Sequence, residues 1–331
     1  MGFSRTSVKR GWHWNQETQQ LEAYSNGNEI FQYPFGQSYY VDSVNGSATG
    51  AGLSWATAYS TISLAMTAAA ALGASSVRRG GVSIFVAPGA YAEDVETPLN
   101  TVCPFGRLIA VSPTPDSYGA AWLTASTAGS PALAIRARGW YISGFEFDAL
   151  ADSACVYFDG VTTNASAPGT VMENCLFVGQ NQGLYGIQVT NTNSNSALSV
   201  IRNSRFYGFA SGSTDGACMQ CTDTSHDAPS FWTVEDCWFG DSDNLIKDMS
   251  FKMGIVRNNT FLAGGANQSP TQKLKNTNGS NTNFYGNSFG GAYTIAGGYA
   301  AGSGDDWAGN MAEDVAGEAA NGWTYAIPAT A

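Results

Sequence analysis

The most chemically loaded stretch runs from residue 215 to 248, where Asp215, Asp223, Asp227, Glu235, Asp236, Asp241, Asp243 and Asp248 fall close together with His226 and Lys247 among them. Carboxylates in pairs do hydrolytic work, one giving a proton while the other activates water. Asp223, His226, Asp227, Asp241 and Asp243 are the candidates for such a role. Each also has a plainer reading. Asp241 and Asp243 lie in Gly240-Asp241-Ser242-Asp243-Asn244, where short acids bond their own backbone. Ser225-His226-Asp227 holds the residue types of a nucleophile relay, but a relay depends on placement in space that adjacency in sequence does not supply. Cys218-Met219-Gln220-Cys221 is a lone CxxC without the second pair or nearby His of a zinc site and without the βαβ setting of a redox site. No metal or cofactor is expected, and no catalytic residue is assigned outright.

The elements that must position these residues show themselves as a repeat. A six-residue unit, apolar-x-(Asn/Asp/Gly)-x-x-Phe, occurs at Ile142 to Phe147, Met172 to Phe177, Ile201 to Phe206, Val234 to Phe239, Val256 to Phe261 and Phe284 to Phe289. Its last Phe recurs after 30, 29, 33, 22 and 28 residues. A period of that size holds two or three short strands with turns, and each such coil can bury its apolar side only by stacking on its neighbours. The third residue of each unit (Gly144, Asn174, Asn203, Asp236, Asn258, Gly286) is of a type that tolerates a left-handed bend, and stacked amides there can hydrogen-bond from coil to coil. Strand alternation then turns the fourth and sixth residues inward, Phe on Phe, with Cys175 and Cys237 as small core fillers two coils apart and beyond disulfide reach. It turns Glu146, Leu176, Arg205, Trp238, Thr260 and Ser288 outward, and Leu176 and Trp238 on an outer face read as a subunit contact. In this frame Asp236 is a turn residue. The fold class is all-β, a parallel solenoid.

Other segments frame the repeat. Ala58, Ile62, Ala65, Met66, Ala69 and Leu72 share one face of a helix over about 57–72, capped by Thr57 or Ser60 and stopped at Gly73. It should cover an open sheet edge. Residues 1–36 read as a small β-meander, with Trp12 and Trp14 flanking His13 and Asn26-Gly27 as a hairpin turn. The solenoid then spans 37–291, and 292–331 forms a cap or tail. The chain of 331 residues carries a net charge of -11, which argues against nucleic acid as a partner, since that affinity comes from Lys and Arg. The longest apolar run, Leu64 to Ala74, is too short to cross a bilayer, and no secretory signal is read at the N-terminus. Folding in the cytoplasm is therefore expected. Arg5, Lys9 and Arg10 are three of the 15 basic residues, concentrated at one end of an acidic chain, and with Trp12 and Trp14 they read as an attachment site.

Tyr40-Val41-Asp42-Ser43-Val44-Asn45-Gly46, then Gly52-Leu53-Ser54-Trp55-Ala56-Thr57-Ala58-Tyr59, then Val82-Ser83-Ile84-Phe85-Val86-Ala87-Pro88-Gly89-Ala90-Tyr91 resemble the opening of a right-handed parallel β-helix of the pectin-lyase-like superfamily. The resemblance covers about residues 39 to 295 and implies that fold. The aromatic meander, together with Gly304-Asp305-Asp306-Trp307-Ala308-Gly309-Asn310 and Asn321-Gly322-Trp323-Thr324-Tyr325, resembles virion proteins of tailed bacteriophages. That implies a trimeric capsid decoration or spike at the virion surface, docked to a capsid or tail protein by its N-terminal region and able to contact host surface glycan. The superfamily's hydrolase triplets Asn-Thr-Asp and Gly-His-Gly are missing, and its lyase signature is not evident. The expected function is a non-enzymatic structural protein; the alternative is a polysaccharide depolymerase, a lyase or glycoside hydrolase, working through the carboxylates of 215–248.

Overall fold

The computed structural model describes residues 10–15, 20–25, 28–29, 37–75, 81–111, 121–160, 162, 165–190, 196–210, 216–221, 229–247, 249–262, 272–276, 278–290, 299–313 and 323–325. Residues 37 onward wind as a right-handed parallel β-helix with three long sheets, the handedness that parallel crossovers take. One coil shows the plan: Tyr141–Ser143 in sheet I, a bend at Gly144, Phe145–Asp148 in sheet II, Ala154–Phe158 in sheet III, and a return to sheet I at Val171–Glu173. Sheet I has ten strands from Ser38–Val41 to Asp306–Ala308, sheet II ten from Gly89–Ala92 to Trp323–Tyr325, and sheet III eight from Val95–Glu96 to Tyr299–Ala300.

The repeat unit is the corner between sheets I and II. All six third-position residues have positive φ: Gly144 (82°), Asn174 (53°), Asn203 (50°), Asp236 (54°), Asn258 (55°) and Gly286 (66°). The six Phe that end the units are fully buried and stack in a column, with centroid spacings of 5.4, 4.2, 4.8, 4.9 and 4.9 Å from Phe147 to Phe289. That spacing is close to the strand separation itself, so the rings stack face to face as a consequence of register.

The amide ladder lies one residue later than expected. The third-position residues join their neighbours through backbone bonds, such as Asn203 N to Glu235 O at 3.2 Å. The stacked amides are the inward fourth-position residues Asn259, Asn287 and Asn310, each Oδ1 accepting from the backbone N–H of the coil below at 2.9 to 3.0 Å.

Four other expectations need correction. The helix spans Ile62–Ser75, because residues 58–59 are already committed to the first strand: Tyr59 N donates to Tyr40 O and Asp42 N to Tyr59 O. Its first N–H groups are capped by Glu93 from the next coil (2.9 Å to Ile62 N and to Ser63 N) and by Thr61, and the helix continues through Gly73. Ile62, Ala65, Met66 and Ala69 are buried against the first strands of sheets I and III. The solenoid continues past 291, since Asp306–Ala308 and Met311–Glu313 add a further coil and Trp323–Tyr325 pairs antiparallel on it. Leu176 is buried and Trp238 half-buried, so this pair is no exposed contact on sheet II.

The six cysteines are all buried, and none is in a disulfide. Residues 10–29 hold a separate three-stranded antiparallel sheet whose register sets Trp12 opposite Ala23, Trp14 opposite Leu21 and Ser25 opposite Asn28. Among the described residues no helix is long and apolar enough to cross a membrane.

Candidate functional site

Sheet III carries a polar file along its outer face. Its strands carry a skipped residue at the same place in successive coils (Cys155, Gly186, Cys218, Leu245), all buried, so register passes from Ala154 to Val156 and from Tyr185 to Ile187. Each strand has one residue at this break, so the ladder stays in register on both sides of it and the irregularity repeats in phase from coil to coil. Tyr157, Gln188, Gln220 and Lys247 then stand in one outward file, each half-buried, with Lys275 at the same place in the next coil. Beside them lies a cleft of about 370 Å³ lined by Asp152, Ser153, Tyr157, Tyr185, Gln188 and Thr190 among others. Tyr157 Oη and Thr190 Oγ1 bond at 2.6 Å, which fixes the ring at the cleft wall. Burial raises the Tyr157 pKa, so the group stays a neutral hydroxyl donor.

Below the cleft, Arg136 is held by Asp159 at 3.0 Å and by Glu96, both carboxylates being used in that ion pair. On sheet I, Arg202 Nε bonds Glu173 at 2.6 Å, Arg257 Nε bonds Glu235 at 2.7 Å and Arg257 Nη1 bonds Tyr285 Oη at 2.9 Å. Glu235, one of the acids of the loaded stretch, is thus a cross-strand link.

Asp223, His226 and Asp227 lie outside the described residues, as do Asp215 and Asp248. In the chain Asp223, His226 and Asp227 follow closely on Ala217–Cys221, the strand that carries Gln220 into the sheet III file. Asp241 is an exposed turn residue with φ 43° whose carbonyl accepts from Gly208 N, and Asp243 N donates to Phe209 O. Both serve the loop between sheets II and III. Asp236 is the bend residue that its slot requires. Arg10, Trp12 and Trp14 stand in Arg10–Asn15, while Arg5 and Lys9 lie outside the described residues. Among the described residues no group of three His, Cys, Asp or Glu could hold a metal ion.

One acid was not singled out from the sequence. Asp148 ends the sheet II strand Phe145–Asp148 and is 2% exposed. One carboxylate oxygen accepts from the Gln180 amide, and Oδ1 has no hydrogen-bond partner. Burial raises its pKa, outweighing the opposing bonds from Gln180 and Trp122. Its signal was the pair Glu146 and Asp148 two apart on one strand, but nothing in sequence says that Gln180 and Trp122 close over it.

No protein-family model matches the chain, and no curated protein matches it. Solved structures do. A GH136 lacto-N-biosidase from Eubacterium ramulus aligns with TM-score 0.57 at 8% identity, covering 84% of this chain and 56% of that one. The pectate lyase Pel9A aligns with TM-score 0.49 at 13% identity over 86% and 79%, and the pectin methylesterase PemA from Erwinia chrysanthemi with 0.45 at 13% over 77% and 79%. The first of these, together with the three parallel sheets, shows what is shared: a right-handed parallel β-helix.

Proposed function

We propose that this chain binds an extended polysaccharide along the outer face of sheet III and cleaves it. The observation that carries the reading is the cleft of about 370 Å³ with Tyr157 and Tyr185 in its wall, continued by the outward file Gln188, Gln220, Lys247 and Lys275. Aromatic rings give sugars a flat apolar platform, and amides and hydroxyls satisfy their many hydroxyls. The two lysines at the upper end suit an acidic glycan. The carboxylates Asp223 and Asp227, in the segment that follows the Gln220 strand, supply the acid–base chemistry in this reading. The proteins of similar fold named above act in the same chemical territory.

The test is a panel of neutral and acidic bacterial polysaccharides, read both by affinity electrophoresis and by release of reducing ends or unsaturated products. Tyr157→Ala should weaken retention about tenfold, while Asp223→Asn and Asp227→Asn should abolish product release and leave retention intact. Absence of both retention and product across acidic substrates overturns the reading.

A second reading, a non-enzymatic particle component docked through Arg5, Lys9, Arg10, Trp12 and Trp14, is favoured by the N-terminal sheet. Three strands of two to six residues bury little of themselves and need a partner surface. Deleting residues 1–36 should abolish incorporation into a particle while the β-helix still folds.

A further inference from the structure

Two carboxylates among the described residues are buried, Asp148 and Asp159, each 2% exposed. Asp159 has a counter-charge, since Arg136 Nε bonds it at 3.0 Å. The half-buried acids Glu173 and Glu235 likewise hold Arg202 and Arg257. Asp148 has no cation. Its partners, Gln180 and Trp122, are neutral, and its Oδ1 accepts no hydrogen bond. Keeping a carboxylate out of water is costly, and only a partner of opposite sign offsets the cost well. The solenoid itself does not require an acid here, because the same place holds Thr124 in the coil below and Val178 in the coil above.

The surroundings suit a cation brought from outside. Strand alternation turns Glu146 and Asp148 to the outer face of sheet II, while Phe145 and Phe147 stack inward. In register with Glu146, on the strand below, stands Trp122, 41% exposed. The strand below that gives this face only Ala90 and Ala92, both exposed, so none of its side chains is large enough to cover the indole. An aromatic ring beside two carboxylates is what a planar cation needs: a guanidinium stacks on the ring and turns its N–H edge to the acids. Gln180 marks where that edge would come. Its amide donates to the Asp148 carboxylate, yet the residue is exposed and left-handed (φ 51°), in the turn that follows Leu176–Val178. A guanidinium that takes the place of this amide exchanges a neutral donor for a charged one.

We infer that Trp122, Glu146 and Asp148 form a docking site for an arginine side chain of a partner protein, the guanidinium lying on the indole and supplying the positive charge that Asp148 lacks. The net charge of -11 favours a basic partner. The site is independent of the glycan reading, because it lies on sheet II and uses none of the sheet III file. Docking is coupled to a proton. Burial raises the Asp148 pKa. Around the group stand Glu146 on its own strand, the neutral Thr124, Val178, Gln180 and Trp122, and the Cys155 thiol, which burial pushes well up and keeps neutral. A guanidinium favours the ionised carboxylate, so affinity should fall as pH drops through the folded pKa of Asp148.

The probe is the peptide acetyl-Gly-Arg-Gly-amide at millimolar concentration, titrated into the full chain and followed through the indole N–H resonances, with its lysine and citrulline counterparts as controls. The arginine peptide should bind at least about tenfold more tightly than the uncharged citrulline peptide. Asp148→Asn and Trp122→Ala should each weaken it about tenfold, and Asp148→Asn should also remove the loss of affinity at low pH. Tyr157→Ala should leave binding unchanged. Trp122 is a surface residue, so its variant keeps the fold and decides the matter should Asp148→Asn fail to fold. A parent that does not bind the arginine peptide overturns the inference, as does equal binding of the citrulline or lysine peptide. So does either variant binding as the parent does, or a Trp122 resonance that answers to a neutral oligosaccharide and not to the peptide.

Discussion

The inward slot just after the sheet I to sheet II bend is filled in two different ways along one solenoid. In the lower coils it holds Phe145, Cys175, Ser204 and Cys237; in the upper coils it holds Asn259, Asn287 and Asn310. The lower fillers are joined only once by side chain, where Ser204 Oγ accepts from Cys175 N at 3.2 Å, and they form no continuous chain. Cys175 donates weakly to Glu173 O, and Cys237 to Glu235 O and to Ile201 O of the coil below. The upper amides form a chain in which Asn259 Nδ2 donates to Val234 O and to Asn287 Oδ1, Asn287 Nδ2 to Val256 O and to Asn310 Oδ1, and Asn310 Nδ2 to Phe284 O. A buried amide is tolerable only when all its groups are satisfied, so an Asn in this slot is best placed beside another. The same backbone bend therefore permits two interiors, one additive and one cooperative.

The Phe column is common to both halves and sets the scale. Phe177→Ala in the lower half and Phe261→Ala in the upper should each cost about 4 kcal/mol, and the two values should agree within about 1 kcal/mol, since both rings are fully buried between flat-stacked neighbours. Urea unfolding measures both. A large difference would mean that the two halves unfold separately, and the comparison would then be one between domains.

The slot itself should separate the halves. Asn287→Ala strips the acceptor from Asn259 N and Asn259 Nδ2, and should cost about 3 kcal/mol because buried donors are left unpaired. Cys237→Ala removes one sulfur and should cost about 1 kcal/mol. Cys237→Asn should be nearly neutral, its new amide sitting directly below Asn259 and extending the chain by one. Equal costs for Asn287→Ala and Cys237→Ala would dissolve the distinction between a cooperative and an additive interior.

What the sequence made legible follows the same physics. The Phe column and the first corner were readable because each restricts the residue type, burial to Phe in one case and a positive φ to Gly, Asn or Asp in the other. The last coil escaped because its unit, Trp307-Ala308-Gly309-Asn310-Met311-Ala312, keeps the left-handed Gly309 (64°) but ends in Ala in place of Phe. The corner between sheets III and I escaped because three of its left-handed residues, Leu198 (62°), Phe231 (59°) and Met253 (52°), each two residues before a sheet I strand, are not turn residues by type. Glu93 as the helix cap and Gln180 beside Asp148 are partners 31 or 32 residues away in sequence, and only the stacking of coils brings them near.

Asp148 gives the smallest expected effect and probes a lower-coil site with no amide chain to satisfy it. Its pKa in the fold stands above the ordinary value of 3.8 because burial penalises the charge more than Gln180 and Trp122 support it. The folded state therefore binds the proton more tightly than the unfolded chain does, and Asp148 contributes stability only as pH falls through its folded pKa toward 3.8. At pH 7 the ionised group is a cost. Asp148→Asn should accordingly melt slightly higher than the parent at pH 7, and the gap should close as pH is lowered through that window. Asp42 and Asp94 act in the opposite sense: burial pulls their pKa up, but N–H bonds from Asn45 and Val44, and from Thr127 and Ser126, outweigh it, so both lose stability as pH falls toward their lowered values. Their contribution is the same in both proteins and cancels in the difference between the two melting curves at each pH. A difference that does not change with pH would mean that Asp148 ionises in the fold as it does in the unfolded chain, and that its buried oxygen has a partner in solution.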